Sequence, residues 1–131
     1  MLIDEIELDT NYRFQAIDIT QFVEEKIKSV TNGIALISVK HTTCCITINE
    51  AEKGLLNDLI EQYIRLFPVD FRYKHNEIDN NGHAHLICSL VGNSRTVNIS
   101  HGKLDLGTWQ RIILLEFDGP RKRKVQVTVI P

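Results

Sequence analysis

The chain has 131 residues, 43% of them apolar and 24% charged, with 15 basic and 17 acidic side chains for a net charge of −2. That length suits a single domain with its own hydrophobic core. The absence of a basic excess argues against a nucleic-acid binder. Three cysteines, Cys44, Cys45 and Cys88, are an odd number with two adjacent, unlike a disulfide framework. No apolar run approaches the roughly 20 residues that a membrane span requires. The acidic start, Met1-Leu2-Ile3-Asp4-Glu5, lacks a signal-peptide pattern, so a cytoplasmic protein is expected.

In chain order, residues 2–8 and 13–17 suit strands. Asp18 is placed to cap a helix with Gln21 at its third position, and Ile19, Phe22, Val23, Ile27 and Val30 form the buried stripe. Asn32-Gly33 ends that helix. Residues 34–40 and 43–48 are rich in Ile, Val and Thr and read as strands. A second helix is expected over about 50–66, with Leu55, Leu56, Leu59, Ile60, Tyr63 and Ile64 inward and Pro68 past its end. The polar stretch 69–82 is a long loop, of the kind that often carries function. A short helix over 83–91 stops at Gly92. Strands at 94–100 and 103–106 turn at His101-Gly102, and 109–117 and 123–130 suggest a hairpin around Asp118-Gly119-Pro120. The expected fold is one α+β domain spanning 1–131: a mainly antiparallel sheet system with two longer helices and one short helix packed against it.

The chemistry-bearing residues stand near segment ends. There are five histidines: His41, His75, His83, His85 and His101. Of these, His41 ends an apolar strand, His75 lies in the long loop and His85 is near a helix start. Separated segments converge at such places, and three imidazoles leave a zinc ion one open position. A lone histidine is more often a core or surface residue. On a helix, His83 and His85 point about 200° apart by the helical repeat, so only one enters a given site. Glu50, after Asn49, is a candidate general base or a partner orienting a ligating histidine. The competing reading is a carboxylate placed at a helix start. Thr42 and Thr43 flank His41 with hydroxyls suited to an oxyanion, although threonine is also a good strand former.

Gly107-Thr108-Trp109-Gln110 offers backbone, hydroxyl, ring and amide for cradling an anion and stacking a ring. Alternatively, Trp109 anchors the core or an interface. Arg121 follows a tight turn and is a candidate phosphate contact, as is Arg123, against the usual fate of a solvated basic tip. Strand alternation puts Cys45 on the face of His41 but about 13 Å away, too far for a thiol–imidazole pair.

Three blocks together resemble the YjbQ-like family, also described as secondary thiamine-phosphate synthase. They are His41-Thr42-Thr43 to Ile48-Asn49-Glu50; Tyr73-Lys74-His75 with Ala84-His85-Leu86 and Leu90-Val91-Gly92-Asn93-Ser94; and Gly102-Lys103-Leu104 with Leu106-Gly107-Thr108-Trp109-Gln110 and Glu116-Phe117-Asp118-Gly119-Pro120-Arg121. The likeness covers roughly residues 10–130. One departure is Val97-Asn98-Ile99, where the family usually carries a proline; His83 and His101 fall at variable positions. The resemblance implies an α+β fold, a homotrimer with pockets near subunit boundaries, and a polar histidine pocket built from His41, His75 and His85. Its implied activity joins two phosphorylated thiamine precursors, chemistry that normally uses magnesium with oxygen ligands. A histidine cluster suits zinc better. The combined expectation is a metal-assisted enzyme acting on a phosphorylated small molecule, by hydrolysis or transfer. The alternative is a trimer that binds a metal or anion without turnover.

Overall fold

A computed structural model describes residues 1–131. Eight strands and three α-helices follow one another as β1 (Leu2–Asp9), β2 (Gln15–Asp18), α1 (Thr20–Ile27), β3 (Gly33–Val39), β4 (Cys44–Asn49), α2 (Lys53–Leu66), α3 (Gly82–Val91), β5 (Ser94–Ser100), β6 (Lys103–Leu104), β7 (Arg111–Glu116) and β8 (Lys122–Ile130). A single 3-10 turn, Lys74–Glu77, interrupts the long loop. The strands form two antiparallel sheets, one ordered β1-β8-β3-β5-β6 and the other β2-β7-β4. The expected α+β class is therefore observed. No helix is long and apolar enough to cross a membrane.

Alternation along each strand decides which side chains meet. On β8, Val125, Val127 and Val129 point inward, opposite Ile112 and Leu114 of β7 and Cys44 and Ile46 of β4; Val23 and Ile27 of α1 close this larger cluster. The other face of the small sheet presents Cys45, Ile113 and Leu115 to Ile87 and Ala84 of α3, with Leu56 and Ile60 of α2 packed alongside. Strand β7 is thus covered on both faces, which accounts for its unbroken Ile112-Ile113-Leu114-Leu115 run. Cys44 and Cys45, adjacent in sequence, lie in different clusters for the same reason.

Several local expectations are corrected. The segments 109–117 and 123–130 are not paired with each other. Leu114 of β7 bonds into the small sheet between Ile17 and Ile46, and Val127 of β8 sits between Asp4 and Ile37 in the large one. The Asp118–Arg121 segment is accordingly an arch between sheets. Gly119 is required there, because a Cβ would lie 2.3 Å from the carbonyl oxygen of Tyr12. Helix α1 ends at Ile27 rather than running to Asn32-Gly33, and Phe22 is exposed rather than buried. Asp18 accepts from the Thr20 amide and hydroxyl at 3.0 and 2.7 Å, tying down the entry to α1. Helix α2 begins at Lys53, with the Glu52 carboxylate accepting from the Gly54 and Leu55 amides. The helix-start carboxylate is therefore Glu52, and Glu50 lies before it. The α2 stripe is half-buried throughout, with no residue fully covered.

Candidate functional site

At the His41 end of β4 the chain folds around an open cavity of about 760 Å³. Its walls include Lys40, His41, Thr42 and Thr43 from the β3–β4 turn, His75, Asp79 and Asn81 from the long loop, and His85 from α3. The arch adds Asp118, Arg121, Lys122 and Arg123, and Ile78 is the only apolar side chain among them. Each wall has a local cause. The 3-10 turn lifts His75 toward α3, and Asn76 Oδ1 accepts the Gly82 amide at 2.9 Å. A Cβ at Gly82 would lie 2.8 Å from both Asn76 and Tyr73, so only glycine allows this approach. The rings of His75 and His85 meet edge to face, with centroids 4.5 Å apart. His83, two residues earlier on α3, turns into the core and bonds the Phe117 carbonyl at 3.2 Å, leaving its Nδ1 without a partner.

Hydrogen bonding assigns the imidazole protons. Asn81, only 5% exposed, bonds Asp118 Oδ2 through Nδ2 at 2.8 Å and His75 Nε2 through Oδ1 at 2.9 Å. A carboxylate only accepts, so the amide nitrogen faces Asp118 and the amide oxygen faces His75. Neutral His75 then carries its proton on Nε2 and a lone pair on Nδ1. Arg121 holds Asp118 from the other side, donating from Nη2 to Oδ2 at 3.0 Å and from Nε to the backbone oxygen at 2.8 Å. His41 is in the opposite state: its Nε2 accepts the Lys124 amide at 3.1 Å, so its proton resides on Nδ1. Burial, and next the charge of Arg123, hold the His41 pKa below the usual histidine range. Burial, and next the charge of His75, do the same for His85. Both rings are held toward the neutral form.

Beneath the cavity lies a buried ion pair. Arg123, 3% exposed, donates through Nε and Nη2 to the carboxylate of Glu116, which has no solvent exposure, and through Nη2 to Thr43 Oγ1 at 2.9 Å. The hydroxyl of Thr10 donates to Glu116 Oε1 at 2.8 Å and accepts the Arg121 amide at 2.9 Å. The pKa of Arg123 is raised: burial opposes its charge, but the hydrogen bonds to Glu116 outweigh that opposition.

The residues singled out from sequence divide into two groups. His41, Thr42, Thr43, His75, His85 and Arg121 line the one cavity. Asn49 and Glu50 stand at the opposite end of β4. Gly107, Thr108, Trp109 and Gln110 form an exposed loop at that same far end, since Asn49 pairs with Arg111. Trp109 is 71% exposed and lies on no strand, and Gln110 Oε1 folds back to accept the Gly107 amide at 2.8 Å. From Cys44 to Asn49 is about 17 Å at roughly 3.3 Å per residue. Within one subunit, then, Glu50 does not reach the histidines. His101 occupies the β5–β6 turn with φ of 52° and is also remote from the cavity walls. Asn81 and Asp118 were missed. Asp118 read as a turn former beside Gly119-Pro120, and nothing in the sequence marks Asn81 as buried.

A profile of the family described as UPF0047 protein YjbQ-like matches residues 4–131. The chain belongs to that family. A UPF0047 protein of Archaeoglobus fulgidus is 48% identical over 126 residues, covering 96% of this chain and 99% of its own. The YugU protein of Bacillus subtilis is 37% identical, with 95% and 96% covered. Among solved structures, a YbjQ-like protein of unknown function from Sulfolobus solfataricus superposes with a TM-score of 0.95 at 40% identity, covering 98% and 95% of the two chains. A hypothetical protein from Aeropyrum pernix gives 0.96 at 39% identity, covering 99% and 98%. These likenesses extend the family fold over the whole domain.

The expected three-histidine metal set does not fit the side chains as they stand. No group of three or more His, Cys, Asp or Glu is placed to hold a metal ion. Nε2 of His41 is committed to the Lys124 amide and Nε2 of His75 to Asn81, so neither of these two nitrogens is available to a metal.

Proposed function

We propose that the chain is a small-molecule enzyme that binds a phosphate-bearing substrate in the histidine cavity and moves a proton with neutral imidazoles. The observation that carries this reading is the wall composition: Lys40, Arg121 and Lys122 outnumber Asp79 and Asp118 around three histidines, the charge of Arg123 being offset by Glu116. Cations in a recessed polar site favour an anion. For hydrolysis or transfer to a hydroxyl, His75 offers a lone pair at Nδ1 to accept the attacking group's proton, and His41 an N–H for a phosphoryl oxygen. In coupling, where a ring nitrogen displaces pyrophosphate and no hydroxyl attacks, the histidines would hold the departing pyrophosphate. Burial holds the His41 ring toward its neutral form. Coupling of the two phosphorylated thiamine precursors is the specific reaction that family resemblance suggests, and a homotrimer in the cytoplasm belongs to the same reading. A half-covered α2 and the exposed Trp109 give the trimer apolar surface to bury. No step of this reading runs through a metal.

A second reading, a trimer that binds a metal or an anion without turnover, is favoured by one observation, the apposed rings of His75 and His85. In that reading a divalent metal, zinc before magnesium on ligand type, takes its donors from those rings. The test is to incubate purified protein with the pyrimidine pyrophosphate and thiazole phosphate, with and without added zinc or magnesium. Release of pyrophosphate that is lost in His75→Gln supports the enzyme. Binding of inorganic phosphate or zinc without turnover supports the second reading, and no phosphate binding at all overturns the first. Light scattering should return three times the 15.0 kDa chain mass.

A further inference from the structure

We infer that Asn81 is the positioning residue of the site: its side-chain amide links Asp118 to His75 and fixes which nitrogen of His75 faces the cavity as a base. The inference deepens the enzyme reading above, and rests on it for the use made of that nitrogen.

The geometry is a directional chain. Arg121 clamps Asp118, Asp118 accepts from Asn81 Nδ2, and Asn81 Oδ1 accepts from His75 Nε2. Each link has one permitted polarity, because the carboxylate has no proton and the guanidinium no lone pair. An amide between a carboxylate and an imidazole passes on polarisation without passing a proton. His75 therefore keeps its Nε2 proton while Nδ1 is left as the acceptor. Carboxylates and carbonyls that orient an imidazole in this way set both its tautomer and its basicity. The site is built for it. Asn81 is buried, its backbone oxygen accepts the Ala84 amide at 3.0 Å at the start of α3, and Gly82 beside it is packed tightly against the 3-10 turn that carries His75. A merely structural asparagine at a helix start would turn its side chain back onto the α3 amides. Asn81 makes no such cap and spends its amide across the cavity wall. The charged and titratable groups around His75 are His85 on α3, Asp79 on its own loop, and Asp118 and Arg121 on the arch.

The test is NMR of the histidine ring nitrogens in the intact protein, with His75 assigned by its loss in His75→Gln. In the wild type, His75 should show an Nε2-bound proton protected from exchange with water, and an unprotonated Nδ1. Asn81→Leu should lose that protected proton while the ring signals of His41 and His83 stay in place. Asn81→Asp keeps an acceptor for Nε2–H, its new carboxyl sharing one proton with Asp118 across their contact. It should retain the protected His75 proton. Should Asn81→Leu fail to fold, Asn81→Asp and the wild-type tautomer decide the matter alone. A His75 proton found on Nδ1, a protected Nε2 proton surviving in Asn81→Leu, or its loss in a folded Asn81→Asp overturns the inference. Titration with inorganic phosphate in the same samples separates it from the functional reading: the tautomer result holds or fails whether or not phosphate binds.

Discussion

Replacing Arg123 by methionine should be among the most damaging single changes available near the cavity. The guanidinium and the Glu116 carboxylate are both removed from water, and Arg123 is the only cation against that carboxylate. Without it, Glu116 keeps the Thr10 hydroxyl and the Asp118 amide but remains a buried, uncompensated charge. Breaking one side of such a pair costs about 3–5 kcal/mol. At roughly 2.1 cal/mol/K per residue, a chain of 131 residues loses about 0.28 kcal/mol per degree, so the melting temperature should fall by about 11–18 °C. Two controls make the reasoning exposed. Arg111→Met removes a partly exposed pair with Asp18 and should cost no more than about 1 kcal/mol. The double change Arg123→Met, Glu116→Leu removes both charges and should recover most of the loss, since Thr10 can still donate to the Arg121 carbonyl. Circular dichroism melts at one fixed protein concentration measure all three. A drop of less than about 3 °C for Arg123→Met, or a double variant no better than the single, would refute the assignment of a buried, uncompensated charge.

Other outcomes follow from the same geometry. The pKa values of His41, His83 and His85 are all lowered in the fold, with burial the first cause in each. The unfolded chain therefore binds more protons, and this contribution to stability is present above the ordinary histidine value near 6.5 and lost as pH falls below it. The melting temperature should drop on acidification from about pH 7 to 5, and less steeply in His83→Phe. Burial pushes the Cys44 thiol up to about 12, and contact with the Cys88 thiol, then burial, pushes Cys45 up as well. With Cys88 buried as well, an aromatic disulfide reagent should find almost no accessible thiol in the native protein and three after denaturation. Glu50→Gln should leave phosphate affinity unchanged and shift stability by no more than about 0.5 kcal/mol, because Glu50 stands at the far end of β4. A loss of phosphate binding in this variant would show that a neighbouring subunit brings Glu50 to the cavity.

The elements were legible wherever one periodicity dominated. Alternation placed β1, β3, β4 and β8 to within about two residues, and the apolar run of β7 marked a strand, read as one arm of a hairpin. Pairing was less legible. Asp118-Gly119-Pro120 carries turn chemistry that suits a hairpin equally well, and only the four strands that occupy the edges of β7 and β8 convert it into an arch. Phe22 failed as a core residue because the i, i+4 row of Ile19, Val23 and Ile27 takes the buried face and Phe22 falls beside it. In the site, the histidines were legible because they are few and stand at segment ends. The residues that set their protonation were hidden, since Asn81 and Asp118 have ordinary loop identities and gain meaning only from contacts 6 and 37 positions away.

The placement of the chemistry follows from the burial of β4 and β7. Ile46, Ile112, Ile113, Leu114 and Leu115 are covered on both faces of the small sheet, so no charge is tolerated along their length without a partner. Polar side chains are driven to the ends of this strand pair. At one end Cys44 pairs with Glu116, and there the chain invests a buried carboxylate, a paired guanidinium and two threonines beneath a wall of histidines. At the other end Asn49 pairs with Arg111, and the Gly107–Gln110 loop is closed by two hydrogen bonds between its own Gly107 and Gln110. The contrast in hydrogen bonding separates the two sets of residues. The histidine end is cross-linked by side chains more than seventy positions apart, which fixes geometry as proton transfer requires. The Trp109 end is locally closed and exposed, which suits a contact surface and not a pocket. On the proposed reading, chemistry therefore belongs at the end where β4 begins, with His75 as the base and its lone pair set by Asn81.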